Sequence, residues 1–164
     1  MPQITLLSAT VVRFADNAGA LPDDTPGLDY LFSLGYGFRQ DPCEVAVRAL
    51  VAAVPGLAPG EPEPAEPTDP AAEVEVECVF GLDSIDEFLD DAGEVRVPRP
   101  FLAHLTGMTV STARGVFIGA GRSPLLQRAP LPVGAPLYII DQFVDPETYP
   151  WVEATPAVPP PQAD

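Results

Sequence analysis

With 164 residues, 46% of them hydrophobic, the chain has the size and apolar content of one folded domain with a core of its own. Eight arginines and no lysine against 24 acids give a formal charge of −16, which excludes a surface built to neutralise nucleic-acid phosphates or an anionic membrane. Partners are expected to be basic or apolar. The charge is segregated: residues 1–94 hold 19 acids and 3 arginines, 95–140 hold 5 arginines and no acid, and 141–164 hold five acids and no base. Such a division either steers assembly or is a solvated acidic surface. The opening MPQITLLSATVVRF has no basic, apolar, small-residue leader pattern, and no run approaches about 18 apolar residues, so the expectation is a cytoplasmic protein without membrane insertion. Cys43 and Cys78 stand apart with no C-x-x-C spacing, as expected of small buried thiols, and a disulfide between them stays open.

In chain order, Ile4 to Phe14 is rich in β-branched and apolar residues and predicts a first strand, although its two faces are poorly separated. Asn17 to Gly27 is a loop by its glycine, proline and aspartate. From Leu28 to Arg39 alternation is clean: Leu28, Tyr30, Phe32, Leu34, Tyr36 and Phe38 share one face of a strand, with Gly35 and Gly37 on the other. Glu44–Val54 and Ala72–Leu82 predict an antiparallel pair, the second with Val74, Val76, Cys78, Phe80 and Leu82 opposite Glu73, Glu75 and Glu77. Their connection, 55–71, holds six prolines and four acids and reads as a solvated, disordered hairpin insertion. It costs roughly 1 kcal/mol over a short turn, because loop-closure entropy grows slowly with length.

Asp83–Asp91 suggests a short helix with Ser84 and Glu87 as a capping box. One long helix is then expected from Pro100 to about Arg114, with Gly115 to Phe117 as its exit. Phe101, Leu102, Leu105, Met108, Thr109, Thr112, Ala113 and Val116 form its apolar stripe, and His104, Ser111 and Arg114 lie outside it. A half-buried sheet needs an apolar partner, and this stripe is its expected cover. A glycine-rich turn at 118–123 follows, then an irregular apolar stretch, and a proline-rich acidic tail over 145–164. The fold class is therefore α+β: an antiparallel sheet of about four strands covered by one long helix, in a single domain over 1–144.

Catalytic chemistry is poorly represented. The chain has one histidine, His104, no nucleophile elbow, no H-E-x-x-H and no Cys/His set at zinc-ligand spacing, so no enzyme activity, cofactor or metal is expected. Gly119-Ala-Gly121 follows a helix instead of a strand and reads as a turn, not a phosphate loop. Glu73, Glu75 and Glu77 share a strand face; they form a solvated row or an acidic docking patch for a basic partner, since residues on a straight strand diverge and do not encircle an ion.

The order of elements, about four antiparallel strands and then a long helix, resembles the SecB family of protein-export chaperones. Val12–Phe14, the alternating strand 28–39, and Asp41-Pro-Cys-Glu-Val-Ala-Val-Arg48 look like the family's first three strands, and Glu75 to Asp83 looks like its fourth. Arg114, Gly115 and Phe117 match its R-G-x-F helix exit, and Pro124 to Val133 resembles the apolar segment beyond. The chain departs from the family in its proline-rich insertion, its extra turn at 118–123, the lack of tryptophan in its first loop, and a proline-rich tail in place of a second helix.

The resemblance implies an ATP-independent chaperone that binds unfolded or aggregation-prone polypeptide, for export through a translocase motor or for stabilising a client such as an antitoxin. Client-binding candidates are Phe117, Ile118, Leu125, Leu126, Leu131 and Val133, with any part of the aromatic stripe that the helix leaves uncovered. The competing view makes all of these core. A sheet with one covering helix also favours a homo-oligomer, through Leu105, Met108, Thr109 and Thr112. The alternative function is a non-chaperone assembly or adaptor protein of similar fold that binds one fixed partner.

Overall fold

A computed structural model describes residues 2–21, 25, 27–39, 41–57, 60, 69–84, 86–89, 96–128, 131 and 151–153. Four strands, β1 (Ile4–Asp16), β2 (Leu28–Arg39), β3 (Glu44–Pro55) and β4 (Ala72–Leu82), form one antiparallel sheet in the order β1-β4-β3-β2. Consecutive β1 and β2 thus lie on opposite edges, and residues 17–27 must cross the sheet's width, about 14 Å at the usual strand spacing. That crossing starts from a fixed point: Ala18–Ala20 form a 3-10 turn, the Asn17 N–H donates to the Ala71 carbonyl, and Ala18 is buried. β5 (Arg96–Pro98) leads into α1 (Arg99–Ala120), and α2 (Pro124–Arg128) follows.

The alternation in β3 and β4 decides which face is covered. Val45, Val47, Ala49, Val51 and Ala53 lie beside Phe80, Cys78, Val76, Val74 and Ala72, and all ten are buried beneath α1. Each valine so buried is worth roughly 1.5–3 kcal/mol, which favours this register over one slipped by a residue. α1 contributes Phe101, Leu102, Leu105, Thr109 and Ala113 as expected, and also Ala103, Thr106 and Val110. Two of the hydroxyls on α1 are satisfied within the helix: Thr109 Oγ1 donates to the Leu105 carbonyl at 3.0 Å and Thr112 Oγ1 to that of Met108 at 3.0 Å.

Four boundaries differ from the periodicity. The helix does not leave at Gly115 but runs to Ala120, because Phe117 extends the buried stripe and offsets the roughly 1 kcal/mol that a helical glycine costs. The exit is Gly121, whose N–H donates to the Phe117 carbonyl at 3.0 Å. The expected insertion is sheet at both ends: Pro55 pairs with Leu28, and Ala71 is buried with its N–H on the Ala53 carbonyl; 58–59 and 61–68 lie outside the described residues. The tail contributes β6 (Trp151–Glu153), paired antiparallel with β5, and the rest of 145–164 is likewise outside them. Finally, the Ser84 hydroxyl accepts the Asp86 N–H two residues on, and among the described residues the short helix expected over 83–91 is a 3-10 turn, Asp86–Phe88.

β1 explains its own poor facial separation. Its 13 residues face the 11 of β4 because the register shifts between Leu6 and Ser8 and again between Val11 and Arg13. Leu7 and Val12 are the extra residues of two bulges, and each inverts the alternation read from the sequence.

Candidate functional site

One helix, about 10 Å across, cannot cover four strands. Among the described residues α1 packs chiefly on the central pair β3 and β4 and covers the same face of β1 and β2 only in part. On the β1 flank, Leu6 and Val11 lie opposite Phe80 and Val76, hence on the helix side, yet they are 46% and 47% exposed. The bulge residues Leu7 and Val12 are exposed as well, Leu7 against the bare Gly81. The sequence alone does not single out these four, because the bulges scramble the period that identifies a buried or an open face.

On the β2 flank the aromatic row is half-buried. Leu28, Tyr30, Phe32 and Leu34 pack against the core from its margin, and only Phe38 at the strand's end is buried outright. The helix reaches the row at two points. Tyr36 and Thr106 share a hydrogen bond between hydroxyls at 2.8 Å, and Phe117 stands edge-on to Tyr30 at 6.2 Å and to Phe14 of β1 at 6.3 Å. Burial raises the pKa of Tyr30, and also that of Tyr36, where the Thr106 hydrogen bond opposes it. β2 pairs with β3 alone, so among the described residues its other edge has no strand beside it.

The expected client residues divide sharply. Phe117, Leu126 and Leu131 are 2%, 2% and 1% exposed and belong to the core, because Phe117 is wedged between β1 and β2 and α2 folds Leu126 back toward Gly121. Ile118 is exposed on the outer side of α1. Val133 and the side chain of Leu125 lie outside the described residues. Of the expected oligomer contacts, Leu105 and Thr109 are wholly buried against the sheet, since the apolar stripe is consumed by β3 and β4. Met108 and Thr112 are half-buried, and Thr112 receives the Cys78 thiol at 3.8 Å.

The acidic row on the opposite face is internally paired. Arg13 meets Glu73 at 2.9 Å and Glu75 at 3.8 Å, and Arg48 meets Glu75 at 3.3 Å and Glu77 at 3.6 Å. β1, β4 and β3 place these charges side by side, so the glutamates are answered by the chain's own arginines before any partner arrives. Exposed pairs of this kind are worth about 0–1 kcal/mol each. Among the described residues no group of three or more His, Cys, Asp or Glu gathers as a metal site, and both thiols are free. Burial first, then the charges of Asp83, Asp86 and Glu44, raise the pKa of the Cys43 thiol, which disfavours the thiolate a nucleophile would need. No helix among the described residues is long and apolar enough to cross a membrane.

Comparison with protein-family models, with curated proteins and with solved structures finds no match to the chain.

Proposed function

We propose that the protein is a SecB-like, ATP-independent chaperone that holds unfolded polypeptide, either for export or to stabilise a client such as an antitoxin. The observation that carries this reading is the pair of apolar strips beside α1: an open one on β1 and a half-covered aromatic one on β2. Each would gain about 25 cal/mol per Å² on burying client side chains. The client surface moves accordingly from Phe117, Leu126 and Leu131 to the row Tyr30, Phe32 and Leu34, with Ile118 close to the helix exit in sequence. Self-association moves from Leu105 and Thr109 to the β1 flank, where Leu6, Val11 and Val12 are available to a second copy.

The test is suppression of aggregation of a chemically unfolded protein, without nucleotide, at low salt and at 1 M salt. Apolar capture persists when the Debye length falls to about 3 Å, whereas docking through Glu73, Glu75 and Glu77 would weaken. Protection that is absent at both salt concentrations would remove the chaperone reading. Specific capture of one folded protein, with no protection of unfolded ones, would instead favour the adaptor.

A further inference from the structure

The two edges of the sheet are built differently. β1 is broken by two bulges, and bulges are a standard way to spoil an edge for further pairing. β2 runs its full 12 residues in one-to-one register with β3, with no shift and no proline. Its charged residues, Asp29 and Arg39, lie near or at its ends, and Arg39 is already engaged by Glu44 at 3.2 Å. Resting on the chaperone reading, we infer that the outer edge of β2 takes an extended polypeptide segment as a fifth strand, with apolar residues at alternate positions and no net negative charge.

The occupant is set by the chemistry of the edge. An edge strand presents backbone N–H and C=O groups in a row about 40 Å long, and only another extended backbone, repeating at the same rise, can satisfy them in series; a helix has already spent its own. The side-chain layers then sort the occupant. On the helix side, alternate residues of the new strand continue the row Tyr30, Phe32, Leu34 and Tyr36, where apolar groups gain most. On the other side they meet Leu31, which is 59% exposed and adds one apolar contact, then Ser33 and the exposed Gly35, which tolerate any side chain. The charge of −16 disfavours acidic segments. Affinity comes from the main chain and coarse selectivity from one face, which suits a binder of many sequences.

Because side chains alternate along a strand, the apolar face of a segment bound antiparallel to β2, as every neighbour in this sheet is bound, dictates which of its amides point at β2. A peptide of alternating leucine and serine with a lysine at each end can therefore be made in three forms: unmodified, N-methylated at the leucines, and N-methylated at the serines. Titration into the intact protein should show one methylated form roughly tenfold or more weaker and the other little changed, since losing two or more hydrogen bonds at about 1 kcal/mol each has that effect. Equal affinity of all three forms, or no binding of the unmodified peptide at 1 mM, would overturn the inference. So would light scattering in which Phe32→Lys, with an unchanged melt, turns an oligomer into a monomer, because the edge would then belong to a second copy. Aggregation suppression with methylation-independent binding removes the edge and keeps the chaperone; side-selective binding without suppression keeps the edge and removes the chaperone.

Discussion

Position 121 has room for hydrogen and nothing else: a Cβ there would run into the Phe117 carbonyl oxygen that its own N–H caps, while Gly119, two residues earlier on the outside of α1, faces open space. Gly121→Ala should cost about 1–3 kcal/mol in urea unfolding, and Gly119→Ala should gain up to about 1 kcal/mol by removing a flexible residue from a helix. Tyr36 makes a second residue-scale case. Tyr36→Phe strands the fully buried Thr106 hydroxyl and should cost about 1–2 kcal/mol at neutral pH. The pH dependence has a definite sign. Tyr30 and Tyr36 titrate higher in the folded than in the unfolded chain, so their contribution is intact below the ordinary value of 10.0 and is lost as pH rises above it toward the folded values. Thermal melts of the parent should fall above about pH 10, and the double variant Tyr30→Phe, Tyr36→Phe should flatten that fall.

Elements differ in how much of themselves they disclose. β2, β3 and β4 pair one residue to one, so a period of two in the sequence is a period of two in space, and their faces are legible. β1 is not, because Leu7 and Val12 each consume a residue without a rung and turn every later residue of the strand to the opposite face. The exit of α1 lies beyond the glycine that suggests it, since a glycine is only a weak local preference, overruled at 115 by the burial of Phe117 next door. The open apolar strip stays hidden for a reason no local pattern can reveal: whether an apolar residue is open depends on which strands lie under the helix, and strand order is a long-range property. The bulge itself gives a test. Deleting Val12 restores regular pairing while leaving Val11 opposite Val76 and Arg13 opposite Glu75, so urea unfolding should change by less than about 1 kcal/mol. Deleting Ala49 from the regular β3 throws half of that strand onto the wrong face and should abolish cooperative unfolding.

At the scale of the whole molecule, the open apolar strip on β1 should be relieved by self-association. Light scattering at tens of micromolar is expected to show a dimer or larger for the parent and a monomer for Leu6→Lys, Val11→Lys, whose melt should be little changed because both residues are already nearly half exposed. A monomeric parent would refute this. Asp16 ties the two ends of the fold together: at the close of β1 its carboxylate accepts the Ala18 N–H, and it also accepts those of Arg122 at 2.8 Å and Ser123 at 3.2 Å, more than 100 positions later in the chain. The first strand and the segment leaving the helix therefore open as a unit and not in turn. In native-state hydrogen exchange the amides of Arg122 and Ser123 should share the opening free energy of the β1 amides around Phe14, and Asp16→Ala should let the helix exit fray at a rate of its own while β1 stays shut.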